Sequence, residues 1–223
     1  EAGIADLIEA IEGERVAPQP GAGRSPLCYV ERAFSVRPGV DGVIVDGRVR
    51  RGLVRVGDPL WLVGFGESSR VVVADIETQR AKVKDVSAGQ FAGFLLTRAS
   101  APLRQRDLRS GQALVEPTTR VTELVQAWIE LLASSEGGRR TGVRDGHLVS
   151  LLFGATVVSG RLRLGSQSVI EPGGAAEVRI ELVAGVYLEA GMRFLLRDGN
   201  QGPVTPRGAP ALWGGSSGRG EIV

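Results

Sequence analysis

The stretch Gly42-Val-Ile-Val-Asp-Gly-Arg-Val-Arg-Arg-Gly-Leu-Val-Arg-Val-Gly-Asp58, running on into Pro59-Leu-Trp-Leu-Val-Gly64, decides the reading of this 223-residue chain. It reads as a β-hairpin with glycines where a barrel turns its corners. Working outward, Leu27 to Phe34, Gly42 to Arg50, Leu53 to Val56, Pro59 to Val63, Arg70 to Gln79 and Gln90 to Leu96 are each of strand length. Arg51-Gly52, Gly57-Asp58 and Ala88-Gly89 supply the turns between them. Six such strands at short spacing predict a barrel or sandwich. Gln112-Ala-Leu-Val115 ends this set, and the boundary is expected at Pro117-Thr118-Thr119.

A second set follows in Val121 to Leu132, His147 to Phe153, Thr156 to Leu164, Glu177 to Val183 and Met192 to Arg197. In Glu177 to Val183, Val178, Ile180 and Leu182 face one way and Glu177, Arg179 and Glu181 the other, the alternation of a strand with one wet face. Gly199 to Gly220 is dominated by Gly, Pro and Ser and reads as too broken for core, with Leu212 and Trp213 expected to tuck back onto a barrel. At the other end Ile4, Leu7, Ile8 and Ile11 keep the i, i+3, i+4, i+7 spacing of one helical face. A helix of about three turns does not hold itself together in water, so that stripe needs a docking surface. Gly13 to Ser25 reads as a linker.

Composition narrows the function classes. Hydrophobic residues at 43% and charged residues at 23% exclude a disordered or fibrous chain. A net charge of +2 announces no nucleic-acid partner for the chain as a whole, although a local arginine stripe still can bind one. Cys28 and His147 are the only residues of their kinds, which excludes an internal disulfide and a Cys/His zinc site. A reducing, cytoplasmic setting is the default expectation, and no apolar run approaches the roughly 20 residues of a membrane span. The chain opens on Glu1 with Met192 as its only methionine, so a piece of a longer protein is expected.

Absent motifs decide as much. A phosphate-cradling P-loop needs G-x-x-x-x-G-K-[ST], and neither Lys82 nor Lys84 follows a glycine. No aspartate begins a D-x-x-G either. His147, whose neighbours Gly146 and Leu148 begin a strand, reads as structural. Cys28, within Leu27-Cys-Tyr-Val30, reads as a buried small hydrophobe. Nothing in the sequence pairs Glu31, Asp41 and Asp46 for acid/base work.

The Gly42–Asp58 stretch resembles the second domain of translational GTPases, where the family reads G-x-V-V-x-G-R-V-x-x-G-x-[IV]-x-[IV]-G-D. Glu136-Gly-Gly-Arg-Arg-Thr141, Gly146-His147, Phe153 and Thr156-Val-Val-Ser-Gly160 resemble the third domain of elongation factor Tu. Glu171-Pro-Gly173 and Gly191-Met-Arg-Phe-Leu-Leu-Arg-Asp-Gly199 continue that likeness, Gly218-Arg-Gly-Glu-Ile-Val223 is similar to its last strand, and the opening helix is similar to the last helix of the family's GTP-binding domain. The resemblance implies an all-β protein of two tandem antiparallel β-barrels with a short N-terminal helix. Residues 1–24 would then be that helix and a linker, 25–117 the first barrel and 118–223 the second.

It further implies the aminoacyl-tRNA-gripping part of a factor that delivers aminoacyl-tRNA to the ribosome. GTP and Mg2+ would belong to an upstream GTPase domain, which would also recruit an exchange factor. Glu77 and Arg80 in Ile76-Glu-Thr-Gln-Arg80 stand where the family has V-E-M-x-R, whose glutamate lies against the terminal base; as residues alone they read equally as an exposed cross-strand pair. Phe91 occupies the place of an asparagine that helps bind the aminoacyl group. Arg139 falls on the arginine that grips the T-stem backbone, and Arg140, Ser150, Ser159 and Asp198 fall on its neighbours. Ser150 replaces a longer glutamine, and Glu177 stands where the family has a lysine near phosphate. Two alternatives stay open: a divergent paralogue whose barrels bind a protein partner, and a subunit of a GTP-dependent sulfate adenylyltransferase, which the hairpin permits and Glu136–Thr141 disfavours.

Overall fold

The computed structural model describes residues 3–13, 25–98, 100–117, 121–133, 141–165, 167–198 and 216–222. Glu136–Arg140, Leu212 and Trp213 lie outside the described residues, as does most of the expected linker. The first residues form helix α1 (Ile4–Gly13), with Ile4, Leu7 and Ile8 exposed.

The first β unit contains β1 (Leu27–Ser35), β2 (Val43–Arg51), β3 (Leu53–Arg55), β4 (Pro59–Gly64), β5 (Glu67–Thr78), β6 (Ala81–Val83), β7 (Asp85–Ser87), β8 (Phe91–Thr97) and β9 (Ala113–Val115). Its main sheet runs β4-β9-β1-β2-β8-β5-β6, and β4 also pairs with β5, so the sheet curls round and closes on itself; β3 and β7 form a separate short pair. Alternation builds this: along β2, Val43, Val45 and Val49 point inward and Ile44, Arg48 and Arg50 outward. The inner residues meet Val30, Leu60, Leu62, Ile76, Phe94 and Leu96 in one fully buried core.

The second unit contains β10 (Thr122–Leu131), β11 (Val143–Arg144), β12 (Leu148–Phe153), β13 (Thr156–Arg163), β14 (Val169–Ile170), β15 (Ala175–Val186), β16 (Arg193–Asp198) and β17 (Ser216–Ile222). Six of these close a barrel in the order β10-β15-β13-β12-β16-β17. The period-two reading of β15 holds, with Val178, Ile180 and Leu182 buried. The all-β reading with barrels therefore stands. Two corrections concern the polar segments. The strand at the C-terminal end starts at Ser216, inside the stretch expected to be broken, because β10 and β16 bond its backbone from both sides. The short strands β6 and β7 fill Ala81–Ser87, where the sequence signalled none.

The two units meet in a continuous apolar seam. Tyr29, Val63, Ala113 and Val115 of the first belong to one buried cluster with Phe153, Val186, Tyr187 and Phe194 of the second. The Tyr29 and Phe153 rings stand edge to face, 6.0 Å between centroids. Thr156 Oγ1 donates to the Gly111 carbonyl at 2.8 Å, and a Cβ on Gly111 would fall 2.7 Å from the Thr156 Cα, so only glycine permits this approach.

A polar cluster rims the seam. Arg51 Nη1 donates to both Glu189 carboxylate oxygens, at 2.7 and 2.5 Å, and Arg51 Nη2 donates to the Tyr187 hydroxyl at 3.3 Å. The Tyr187 hydroxyl donates in turn to Glu189, and the Tyr29 hydroxyl donates to the Tyr187 carbonyl. Each member is satisfied, as a part-buried polar network must be.

Candidate functional site

On the outer face of the first barrel, a groove of about 640 Å³ runs across β2, β8 and β5. Strand register gives its plan. Gly93 on β8 lies between Asp46 of β2 and Glu77 of β5, each its direct cross-strand partner. One step along, Leu95 lies between Ile44 and Asp75; one step the other way, Phe91 pairs with Arg48. Gly93 leaves the middle of the floor bare, since a Cβ there would stand 3.3 Å from Asp46 Oδ1.

Glu77 faces this groove because of a bulge. Early in β5 the odd positions Val71 and Val73 are buried, whereas Ile76 is buried after a register shift between Val73 and Asp75. One extra residue flips every later side chain to the opposite face. Without the shift the Glu77 carboxylate would point into the core; with it, Asp75 and Glu77 stand outside. The Ile76 N–H donates to Asp75 Oδ1 at 3.0 Å, which helps to hold the distorted backbone.

The groove carboxylates are not equivalent. Asp46 takes Arg32 Nη2 at 3.3 Å, and Asp75 takes Lys82 Nζ at 2.5 Å. The hydrogen bond from Lys82 holds the Asp75 carboxyl below its ordinary value. Glu77 makes no side-chain hydrogen bond among the described residues, although Lys82, its register partner, lends it a nearby positive charge. Apolar walls from Val40, Ile44 and Leu95 complete the groove.

Arg80 does not pair across strands with Glu77, contrary to one of the two readings of that couple. Thr78 pairs with Ala81, so Gln79 and Arg80 are the two loop residues of a tight hairpin, with φ of 50° and 64°. Such a turn normally takes glycine or asparagine. The chain instead holds two long polar side chains there, and Arg80 projects from the hairpin tip into solvent.

Of the expected T-stem residues, Ser150 and Ser159 share the outer face of the second barrel. Ser150 on β12 is directly opposite Ser159 on β13, and Ser150 pairs on its other side with Arg197. Asp198 follows in β16 as the backbone partner of the buried Val149, so its register position alternates with that of Arg197 and it does not join the serine row. Arg139 and Arg140 lie outside the described residues. Glu177 stands apart from this row, five residues along β15 from Leu182, the partner of Gly160, a run of about 17 Å at strand rise. Its carboxylate accepts from Gln126 Nε2. Around the serines Leu148, Val157, Val183 and Leu195 are exposed.

Cys28 is buried, and burial, assisted by the charge of Glu31, pushes its thiol up to about 12, which keeps it protonated. The His147 N–H donates to the Arg144 carbonyl and its own carbonyl accepts from Leu162, a turn-forming role. Among the described residues no cluster of His, Cys, Asp and Glu could hold a metal ion, and no helix is long and apolar enough to cross a membrane.

Residues 42–99, which supply β2 through β8 and so most of the groove, match the family model described as Elongation factor Tu domain 2. Residues 118–203, including the paired serines, match the one described as Elongation factor Tu C-terminal domain. The chain belongs to the elongation factor Tu-like family. The resemblance drawn from Gly42–Asp58 and Glu136–Gly160 thus holds over more than half of the sequence. Sequence reasoning picked out Glu77 and Phe91, which the groove brings together. It missed Asp46, Ile44, Gly93 and Leu95, whose place depends on register rather than on any local motif.

Proposed function

We propose that this chain is the aminoacyl-tRNA-binding region of an elongation factor Tu-like translation factor. The 3′-terminal adenosine occupies the groove over Gly93, and the T-stem backbone lies along the Ser150–Ser159 face, with Arg139 and Arg140 as its phosphate-binding side chains. The observation that carries this reading is the bulge in β5, which turns Glu77 outward between apolar walls. A carboxylate with no hydrogen bond of its own accepts one from an exocyclic amine, while Ile44 and Leu95 cover the faces of a flat base. Arg80, at the tip of the adjoining hairpin, meets phosphate. GTP and Mg2+ belong to an upstream GTPase domain, and the ribosome and an exchange factor are partners of the longer, cytoplasmic protein.

The test is aminoacyl-tRNA binding across a salt series. Binding is expected to weaken linearly on a log–log plot, Arg139→Ala to reduce the slope by about one, and Glu77→Gln to weaken binding about tenfold. Absent or salt-independent binding overturns the proposal. One observation favours a second reading: exposed Leu148, Val157, Val183 and Leu195 around the serines suit a protein surface better than a phosphate backbone. A protein complex that survives high salt, without tRNA binding, would establish it.

A further inference from the structure

Two phenylalanines stand exposed at opposite ends of the groove region, and they differ in what covers them. Phe34, 40% exposed, pairs with Ile44 and lies under the Arg32 guanidinium, whose carbon is 5.5 Å from the ring centroid. Phe91, 38% exposed, has no ring or cation stacked on it among the described residues. Its outward position is fixed on both sides. Ala92 and Phe94 hold the inward positions of β8, and the Phe91 carbonyl accepts the Thr78 hydroxyl at 3.1 Å. The ring is therefore built into the rim of the groove and left open.

Its surroundings identify the chemistry. Arg48 is its direct partner on β2 and is exposed; one nitrogen donates to the Gly89 carbonyl at 2.6 Å, leaving the rest of its donor fork for a ligand. Arg80 lies two residues beyond Thr78 in the hairpin turn. Glu77, opposite Gly93, is the diagonal neighbour of Phe91, at a separation of about 7–8 Å. An open aromatic face between arginines, one diagonal step from a base-accepting carboxylate, matches the way single-stranded nucleic acid is held, by stacking bases and tracking phosphates.

We infer that Phe91 is a stacking platform for a second base of the RNA 3′ end, the one preceding the nucleotide at Glu77, with Arg48 and Arg80 set for the phosphate between them. This inference rests on the adenosine reading of the groove and adds a binding residue to it. The side chain that replaces a polar contact to the acyl group thereby supplies an apolar contact to RNA.

Calorimetric titrations of the chain with adenosine 5′-monophosphate and with the dinucleotide CpA test it. CpA is expected to bind about tenfold tighter than the mononucleotide, the ratio to fall to about one in Phe91→Ala, and to persist in Phe91→Trp. A ratio of one in the unsubstituted chain overturns the inference and leaves the adenosine reading standing. So does a gain seen with 3′-phenylalanylamino-adenosine and not with CpA, which would put the acyl group on the ring. Failure of both nucleotides to bind overturns the adenosine reading with it.

Discussion

The seam between the barrels and the groove on the first barrel use the same residue types in opposite ways. At the seam, aromatic and charged side chains are consumed: Tyr29 meets Phe153 edge to face, and Arg51, Tyr187 and Glu189 satisfy one another. In the groove, Phe91 keeps an open ring and Glu77 an unbonded carboxylate. A satisfied polar network fixes geometry; open groups of the same chemistry keep their interaction energy for a ligand. Both lie along one strand, since β2 carries Ile44 and Asp46 at the groove and ends in Arg51 at the seam.

The contrast can be broken at several points, in descending order of effect. Deleting Ala74 removes the extra residue of the bulge and forces either Glu77 inward or Val71 and Val73 outward. The first barrel is then expected not to form, which loss of soluble folded protein and of the cooperative urea transition would report. Tyr29→Ala opens a cavity at the seam, and a loss of about 3–5 kcal/mol is expected in urea unfolding. Arg51→Met takes the guanidinium hydrogen bonds from a part-buried Glu189, which keeps the Tyr187 hydroxyl, and is expected to cost about 1–3 kcal/mol without changing nucleotide affinity. Equal affinity loss in that variant would show that the groove depends on the seam.

Alkaline titration separates the two regions without mutation. Burial, reinforced by the hydrogen bond to Glu189, pushes the Tyr187 phenol up to about 12 from its ordinary 10, and burial raises Tyr29 further. Both groups are raised on folding, so their stabilisation is complete below about pH 10 and is lost as pH climbs toward 12. The urea midpoint is expected to fall over that window, and less so in Tyr187→Phe. The smallest effect on stability belongs to Glu77→Gln, within about 0.5 kcal/mol, because an exposed groove residue supports nothing beneath it. A larger loss would mean that Glu77 is structural, and would weaken the case that the groove is a site.

Most of the strands are legible in the sequence because β-branched runs alternate and glycine marks the corners, as in Val43–Asp58 and Val178–Leu182. The groove is legible only in part. Glu77 and Phe91 come from motif position, yet nothing local shows that they share a face, since a period-two count from the buried Val71 and Val73 turns Glu77 into the core. That error is removed only by a bulge whose cause is pairing with β8. The strand β17 is legible only through the family likeness of Gly218–Val223 and not from its pattern: Ser216-Ser-Gly-Arg-Gly-Glu221 has no apolar alternation, and its strand conformation comes from backbone bonds to two neighbours. The seam leaves no local signal, as its members Tyr29, Arg51, Thr156 and Glu189 are distant in sequence.

That closing strand also sets the order of events during synthesis. The second barrel joins its first strand to its last, with Ala127 opposite Ile222, so no closed barrel exists until β17 has left the ribosome. Its hairpin β12–β13 is local and forms early, whereas the β10–β17 pairing waits for the longest loop in the unit to close. Until then β10 and β16 each present an unpaired edge, and elongation at about 5–20 residues per second leaves them open for seconds. The nascent chain is therefore most vulnerable to edge-to-edge association just before the synthesis of its last strand, and a delay at those codons should lower the yield of folded protein more than a delay anywhere in the first barrel.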